Sequence, residues 1–152
     1  MIELDDPRAD DVRALLAVHL TFARAQTPPE DAHAMDVDGL LDPAVAFFSY
    51  RDGGRLLAVG ALKQLDPHHA EIKSMHTAQG ARGRGLGRLM LDHLIAVARE
   101  RGYKRLSLET GSMASFAPAR SLYASAGFAV CEPFGDYPAS PNSTYMTLAL
   151  VS

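Results

Sequence analysis

The chain has 152 residues, enough for one domain with a sizeable core, and its apolar content is ordinary for a globular protein. A formal charge of −3 gives no reason to expect nucleic-acid binding, and no apolar run approaches the ~20 residues needed to span a bilayer. The acidic start Met1-Ile2-Glu3-Leu4-Asp5-Asp6 is not signal-like and the lone Cys131 cannot form an internal disulfide, so the cytoplasm is the expected location and the Asn142-Ser143-Thr144 sequon is read as chance.

In chain order, Ile2–Leu4 reads as a short strand and Asp10-Asp11 as a helix start. Val12, Leu15, Leu16, His19, Leu20 and Ala23 follow at helical spacing, with His19 expected at the core edge. Thr27-Pro28-Pro29-Glu30 breaks that helix, and a second short one runs from Ala32 or Asp36 to Leu41. Val45–Tyr50 and Arg55–Gln64 form a hairpin around Asp52-Gly53-Gly54. Asp66-Pro67-His68-His69 reads as a solvated turn, because no further ligands at metal spacing accompany the two histidines.

Ala70–Thr77 is the central strand, with Ile72, Met75 and Thr77 supplying apolar or β-branched character. It leads into Arg82-Gly83-Arg84-Gly85-Leu86-Gly87 and then a helix whose stripe is Leu86, Leu89, Met90, Leu94, Val97 and Ala98, closed by Arg101-Gly102. Arg105–Thr110 is another strand. Ser115 is the expected cap of a helix from Phe116 to Ser125, with Pro118 tolerated in its first turn and Gly127 at its end. Phe128–Glu132 and Thr144–Leu150 are the last strands, separated by the proline-rich stretch Pro133–Asn142. The expected fold is a single α/β (α+β) domain over 1–152, a mixed and mostly antiparallel sheet of about six or seven strands flanked by about four helices.

The loop after the central strand has a definite chemistry. Glycines let backbone approach a ligand closely, and the first turn of a helix leaves N–H groups without partners. Those donors, the positive end of the helix dipole and Arg82, Arg84 and Arg88 favour a phosphate or pyrophosphate. A dinucleotide fingerprint from Gly83 would need glycine where Arg88 stands, and a phosphate loop from Gly80 would need lysine where Leu86 stands.

What fits is R-x-x-G-x-G directly after a strand, which resembles the acetyl-coenzyme A loop of the GNAT N-acetyltransferases. Ala119-Arg120-Ser121-Leu122-Tyr123 and Ala126-Gly127-Phe128 look like a second segment of that family. Glu71-Ile72-Lys73-Ser74-Met75, Leu108–Phe116 and Cys131-Glu132-Pro133-Phe134 are similar to a bacterial subgroup, some members of which are called indole-3-acetic-acid acetyltransferase. That acid has no basic amine, so no substrate is carried over from the name.

The resemblance implies acetyl-CoA as cosubstrate, no metal, and transfer of the acetyl group to an amine of a small molecule or peptide. It implies a cofactor site of Met75, His76, Thr77, Arg82, Gly83, Arg84, Gly85, Leu86, Gly87, Arg88, Phe116, Ala119 and Tyr123, with a backbone N–H near Met75 facing the thioester oxygen. Tyr123 is the implied acid for the departing thiolate, against a reading as a core aromatic. Glu71, eleven residues before Arg82, is the implied base; Glu109 is its rival, a water chain the third alternative, His76 a relay candidate, and a surface glutamate paired with Lys73 or Arg105 the plain alternative. Phe116 stands where the family often has asparagine, which leaves the polar contact to the cofactor's thiol end to Ser115 or to nothing. His33 and Met35 lie where the family's acceptor pocket is walled. A catalytically idle CoA-binding module remains the alternative function, and the acceptor and a homodimeric state are left open.

Overall fold

The computed structural model describes residues 2–26, 37–81, 83–135 and 137–150, with the side chains of 19–26 and 79 outside the description. The expected positions Arg82, His33, Met35 and the Thr27–Glu30 break lie outside the described residues, as does the side chain of His19.

Seven strands form one sheet in the order β1-β2-β3-β4-β5-β7-β6. They are β1 Ile2–Leu4, β2 Val45–Asp52, β3 Arg55–Asp66, β4 His69–Thr77, β5 Arg105–Gly111, β6 Ala129–Cys131 and β7 Ser143–Ala149. The helices are α1 Asp10–Gln26, α2 Val37–Leu40, α3 Leu86–Glu100 and α4 Ala117–Ser125. Every sheet pairing is antiparallel except β4 with β5.

Side-chain alternation along the strands divides the core in two. One cluster joins Ala70, Ile72, Leu106, Leu108 and Met146 of the sheet to Met90, Leu91, Leu94 and Ala98 of α3 and Tyr123 of α4. The other sets Val12 and Leu16 of α1 and Leu40 of α2 on Phe47, Val59 and Ala61. The odd-numbered residues His69, Glu71 and Lys73 of β4 and Ser107 and Glu109 of β5 therefore share the face opposite α3.

Three local readings are corrected. The buried stripe of α3 is Leu86, Met90, Leu91, Leu94, Ile95 and Ala98, while Leu89 is half exposed, so the helix is rotated from the expected face. Ser115 does not cap α4: a short 3-10 turn, Ala114–Phe116, precedes it, and Phe116 occupies the cap position with no side-chain bond. His69 is in β4 rather than a solvated turn, its Nε2 2.6 Å from Ser107 Oγ and its ring 5.6 Å from that of Phe134.

Candidate active site where two parallel strands part

The parallel ladder between β4 and β5 is short. It pairs His69 with Arg105, Ala70 with Leu106 and Glu71 with Ser107, and ends there although both strands continue. The cause lies in β4. On its other side the register steps from Ala61 opposite Lys73 to Val59 opposite His76, so two residues, Ser74 and Met75, face the single Gly60. This is a β-bulge, and Ser74 adopts the left-handed conformation at φ 54° that the extra residue requires. A bulge bends its strand, and here the bend opens a gap between Ile72–Thr77 and Leu108–Gly111.

At the far end of the gap sits the first turn of α3. Gly83 and Gly85 both have left-handed φ, 80° and 75°, which a side chain would strain. Gly85 caps the helix without any side-chain bond, so the N–H groups of the opening turn are not consumed by a cap. Gly87 is held close: a Cβ there would lie 3.4 Å from Leu122 of α4 and 3.9 Å from Thr77 Oγ1. Thr77, the start of α3 and α4 thus meet around one point. Leu86 is buried and Arg84 exposed. The Arg88 side chain departs from the expectation of a free cation: its Nε bonds Asp92 at 2.9 Å and its Nη1 bonds Ser125 Oγ at 3.1 Å, tying α3 to α4.

Tyr123, on α4, closes the α3 side of the gap. It is 8% exposed and packs edge-on against Phe128, with ring centroids 6.1 Å apart. Burial, aided by the nearby charge of Glu109, pushes its pKa up to about 12, so the phenol keeps its proton at neutral pH. Met75 and Ala119 are half-buried against the same core. Phe116 fills the asparagine position with its ring laid on Gly111, where even a Cβ would come within 2.2 Å of it. Arg120 secures this corner, its Nη1 donating to the Gly111 carbonyl at 2.6 Å and the Met113 carbonyl at 2.9 Å. Half-buried His76 follows the bulge opposite Val59.

The other face of the gap is polar. Glu71 is not the surface glutamate of the plain alternative: its side chain is 3% exposed and lies 3.5 Å from Lys73 Nζ, itself 10% exposed. The partner that sequence reasoning missed is Tyr137. Lys73 Nζ donates to its Oη at 2.6 Å, and the phenol donates to Glu71 Oε2 at 2.5 Å. Burial first, then the Glu71 charge, raise the Tyr137 pKa far above the ordinary phenol value. Glu109 is half-buried, lies opposite Tyr145, and exerts its charge on both Tyr123 and Tyr137. Lys73 was signalled by its spacing of two from Glu71, which puts both on one face. Tyr137 had no local signal, since its loop lacks periodicity. Among the described residues no group of three or more His, Cys, Asp or Glu side chains is arranged to hold a metal ion.

A glycine-formed helix start and a buried tyrosine on α4 thus flank the strand gap. The model of the acetyltransferase (GNAT) family matches residues 10–128. This chain belongs to the GNAT family. It is 48% identical over 149 residues to the uncharacterised N-acetyltransferase YsnE of Bacillus subtilis, covering 98% of this chain and 99% of the relative. Identity to the uncharacterised N-acetyltransferase YedL of Escherichia coli is 46%, covering 98% and 94%. An IAA acetyltransferase of Azospirillum brasilense is 34% identical, covering 95% and 94%. In fold, a solved structure from Klebsiella pneumoniae aligns over 99% of this chain and 97% of its own with a TM-score of 0.80 and 25% identity. A Bacillus subtilis acetyltransferase solved in complex with CoA aligns over 99% and 98% with a TM-score of 0.74 and 20% identity. The GNAT chain is thus an acyl-CoA-dependent N-acetyltransferase, with acetyl-CoA as its cosubstrate.

Proposed function

We propose that the acetyl group passes to a primary amine of a small molecule or peptide by direct attack in a ternary complex, seated where β4 and β5 part, in the cytoplasm. The observation that carries this reading is the end of the β4–β5 ladder at Glu71 and Ser107, with Tyr123 on one side of the opening and Glu71 and Glu109 on the other. Acetyl-CoA enters with its pyrophosphate at Gly83–Arg88, held mainly by backbone N–H groups of the loop and helix start together with Arg82 and Arg84. Its pantetheine lies along Met75, His76 and Thr77, opposite Phe116, Ala119 and Tyr123. A backbone N–H at the Ser74 bulge, near Met75, supports the oxygen of the tetrahedral intermediate.

Tyr123 gives its proton to the departing thiolate. A phenol near 12 is a weak acid for an ordinary thiol, but the burial that raises it also penalises a thiolate released beside it, which narrows the mismatch. An alkylamine with a pKa of about 10.4 arrives protonated, so a base must act first. Glu71 is that base in this reading. Glu109 is the second, favoured by its greater exposure and its position beyond the last paired residues. Glu71→Gln and Glu109→Gln assayed over a range of pH separate them: the true base's variant loses turnover most at low pH and regains it as free amine accumulates. A Glu71→Gln enzyme with the wild-type rate and pH profile would remove Glu71 from the reaction.

A further inference from the structure

A base buried to 3% exposure cannot meet an acceptor directly, and the residue covering Glu71 is Tyr137. The order of the hydrogen bonds around it is forced. An ammonium only donates and a carboxylate only accepts, so Tyr137 Oη receives from Lys73 at 2.6 Å and its hydrogen points at Glu71 Oε2, 2.5 Å away. The phenol is only half-buried, and its ring is wedged against those of Phe134 and Tyr145, at 5.4 and 5.6 Å between centroids. Tyr145 in turn donates to the Pro138 carbonyl at 2.8 Å, which anchors the loop that carries Tyr137. The loop therefore places one hydroxyl, in one orientation, against the buried carboxylate, on a residue that is itself half-buried.

We propose that Tyr137 is a catalytic proton relay, passing the acceptor's proton to Glu71. In the step, the N–H bond of the acceptor ammonium breaks and its proton goes to Tyr137 Oη. The Tyr137 O–H bond breaks in concert and that proton goes to Glu71 Oε2. The amine keeps the electron pair with which it attacks the thioester, tyrosine ends neutral, and Glu71 ends as the carboxylic acid. The Lys73 ammonium remains charged and stabilises the negative character that builds on Oη in transit. The inference rests on the reading of Glu71 as the base.

The test compares two acceptors with acetyl-CoA as donor, reading thiol release. Propylamine is an alkylammonium at neutral pH and needs the relay, whereas hydroxylamine is largely unprotonated and does not. Tyr137→Phe keeps the ring and removes the hydroxyl. It should lower the propylamine rate by about 10²-fold, at least about tenfold more than the hydroxylamine rate, with the gap closing as pH rises. Glu71→Gln should show the same selective loss, and the double variant should be no worse than the worse single, because the two act as one unit. Calorimetric CoA affinity and a thermal melt identify any variant that has lost its fold. Equal losses on both amines would make Tyr137 a structural residue and overturn the relay. A wild-type propylamine rate in Tyr137→Phe beside a selective loss in Glu71→Gln would also overturn it while leaving Glu71 as base. A Glu71→Gln protein with wild-type rates would overturn the base reading and the relay together. Wild-type protein that acetylates neither probe would overturn the reading of the gap as a site for small amines, and the relay with it.

Discussion

The two sides of the β4–β5 gap are built on opposite principles. On the α3 and α4 side the proposed working groups are backbone donors and one buried phenol, embedded in an apolar cluster of Met90, Leu94, Leu108 and Phe128. On the other side lie an ion pair, a tyrosine from the loop between β6 and β7 that bridges it, and a second carboxylate. The contrast follows from the two partners in the reaction. A pyrophosphate is the same in every acetyl-CoA, and in the proposed reading it is met by glycine and a helix start. An amine must be relieved of a proton, which needs titratable side chains held in a fixed geometry. Cofactor binding and acceptor chemistry should therefore fail separately.

The largest expected effect is on the cofactor side. Gly85→Glu places a side chain at φ 75° and a negative charge at the positive end of α3, so CoA binding should vanish in calorimetry while circular dichroism shows a folded protein. Arg82→Ala should weaken binding by only about 1–2 kcal/mol, as one charge-assisted contact. Retained CoA affinity in folded Gly85→Glu would end the assignment of this loop. Next comes Tyr123→Phe, which leaves the packing against Phe128 in place. Steady-state kinetics should show kcat lower by about 10²–10⁴-fold with CoA affinity preserved; a kcat within a few-fold of wild type would return Tyr123 to the core.

On the acceptor side, Lys73→Met takes the ammonium away from the buried Glu71 carboxylate and leaves it the Tyr137 hydroxyl. Removing one member of a buried pair costs about 3 kcal/mol, or roughly 6–12 °C in Tm for a chain of this size. Differential scanning calorimetry should also show the Lys73→Met/Glu71→Gln double variant recovering part of the loss, since no unpaired charge is then buried. A double variant less stable than Lys73→Met would mean the pair is not the source of the effect. The smallest effect is on pH dependence. His69 and His93 are both held below the usual histidine pKa by burial, with the Arg105 charge adding to the effect at His69. Below about pH 6.5 the unfolded chain then binds more protons than the folded one, so stability falls as pH drops through that value and is unaffected by these groups above it. His93→Phe, whose ring would keep the edge contact now made with Phe48, should flatten part of that slope in urea melts.

Much of this was legible from local pattern. The hairpin at Asp52-Gly53-Gly54, the helix closed by Arg101-Gly102 and the glycine loop of β4–α3 follow from backbone preferences that act within a few residues. The rotation of α3 was not, because Leu89 and Leu91 are equally apolar and only the position of the sheet decides which is covered. Nor was the missing Ser115 cap: the phenyl ring of Phe116 lies on Gly111, the last residue of β5, and the short turn Ala114–Phe116 takes the cap's place.

Sequence alone pointed to the family and named a candidate cofactor loop, a candidate acid and candidate carboxylates, because each belongs to a short run whose chemistry is local. Tertiary structure decided which of those groups meet. Glu71 and Tyr137 stand 66 positions apart, and nothing in either neighbourhood signals the other. Their bond exists because the Ser74 bulge ends the ladder just past Glu71, and because Phe134 and Tyr145 fix the loop that brings Tyr137 over it. Backbone preferences act along the chain, but a hydrogen bond between distant side chains is set by the packing of everything between them.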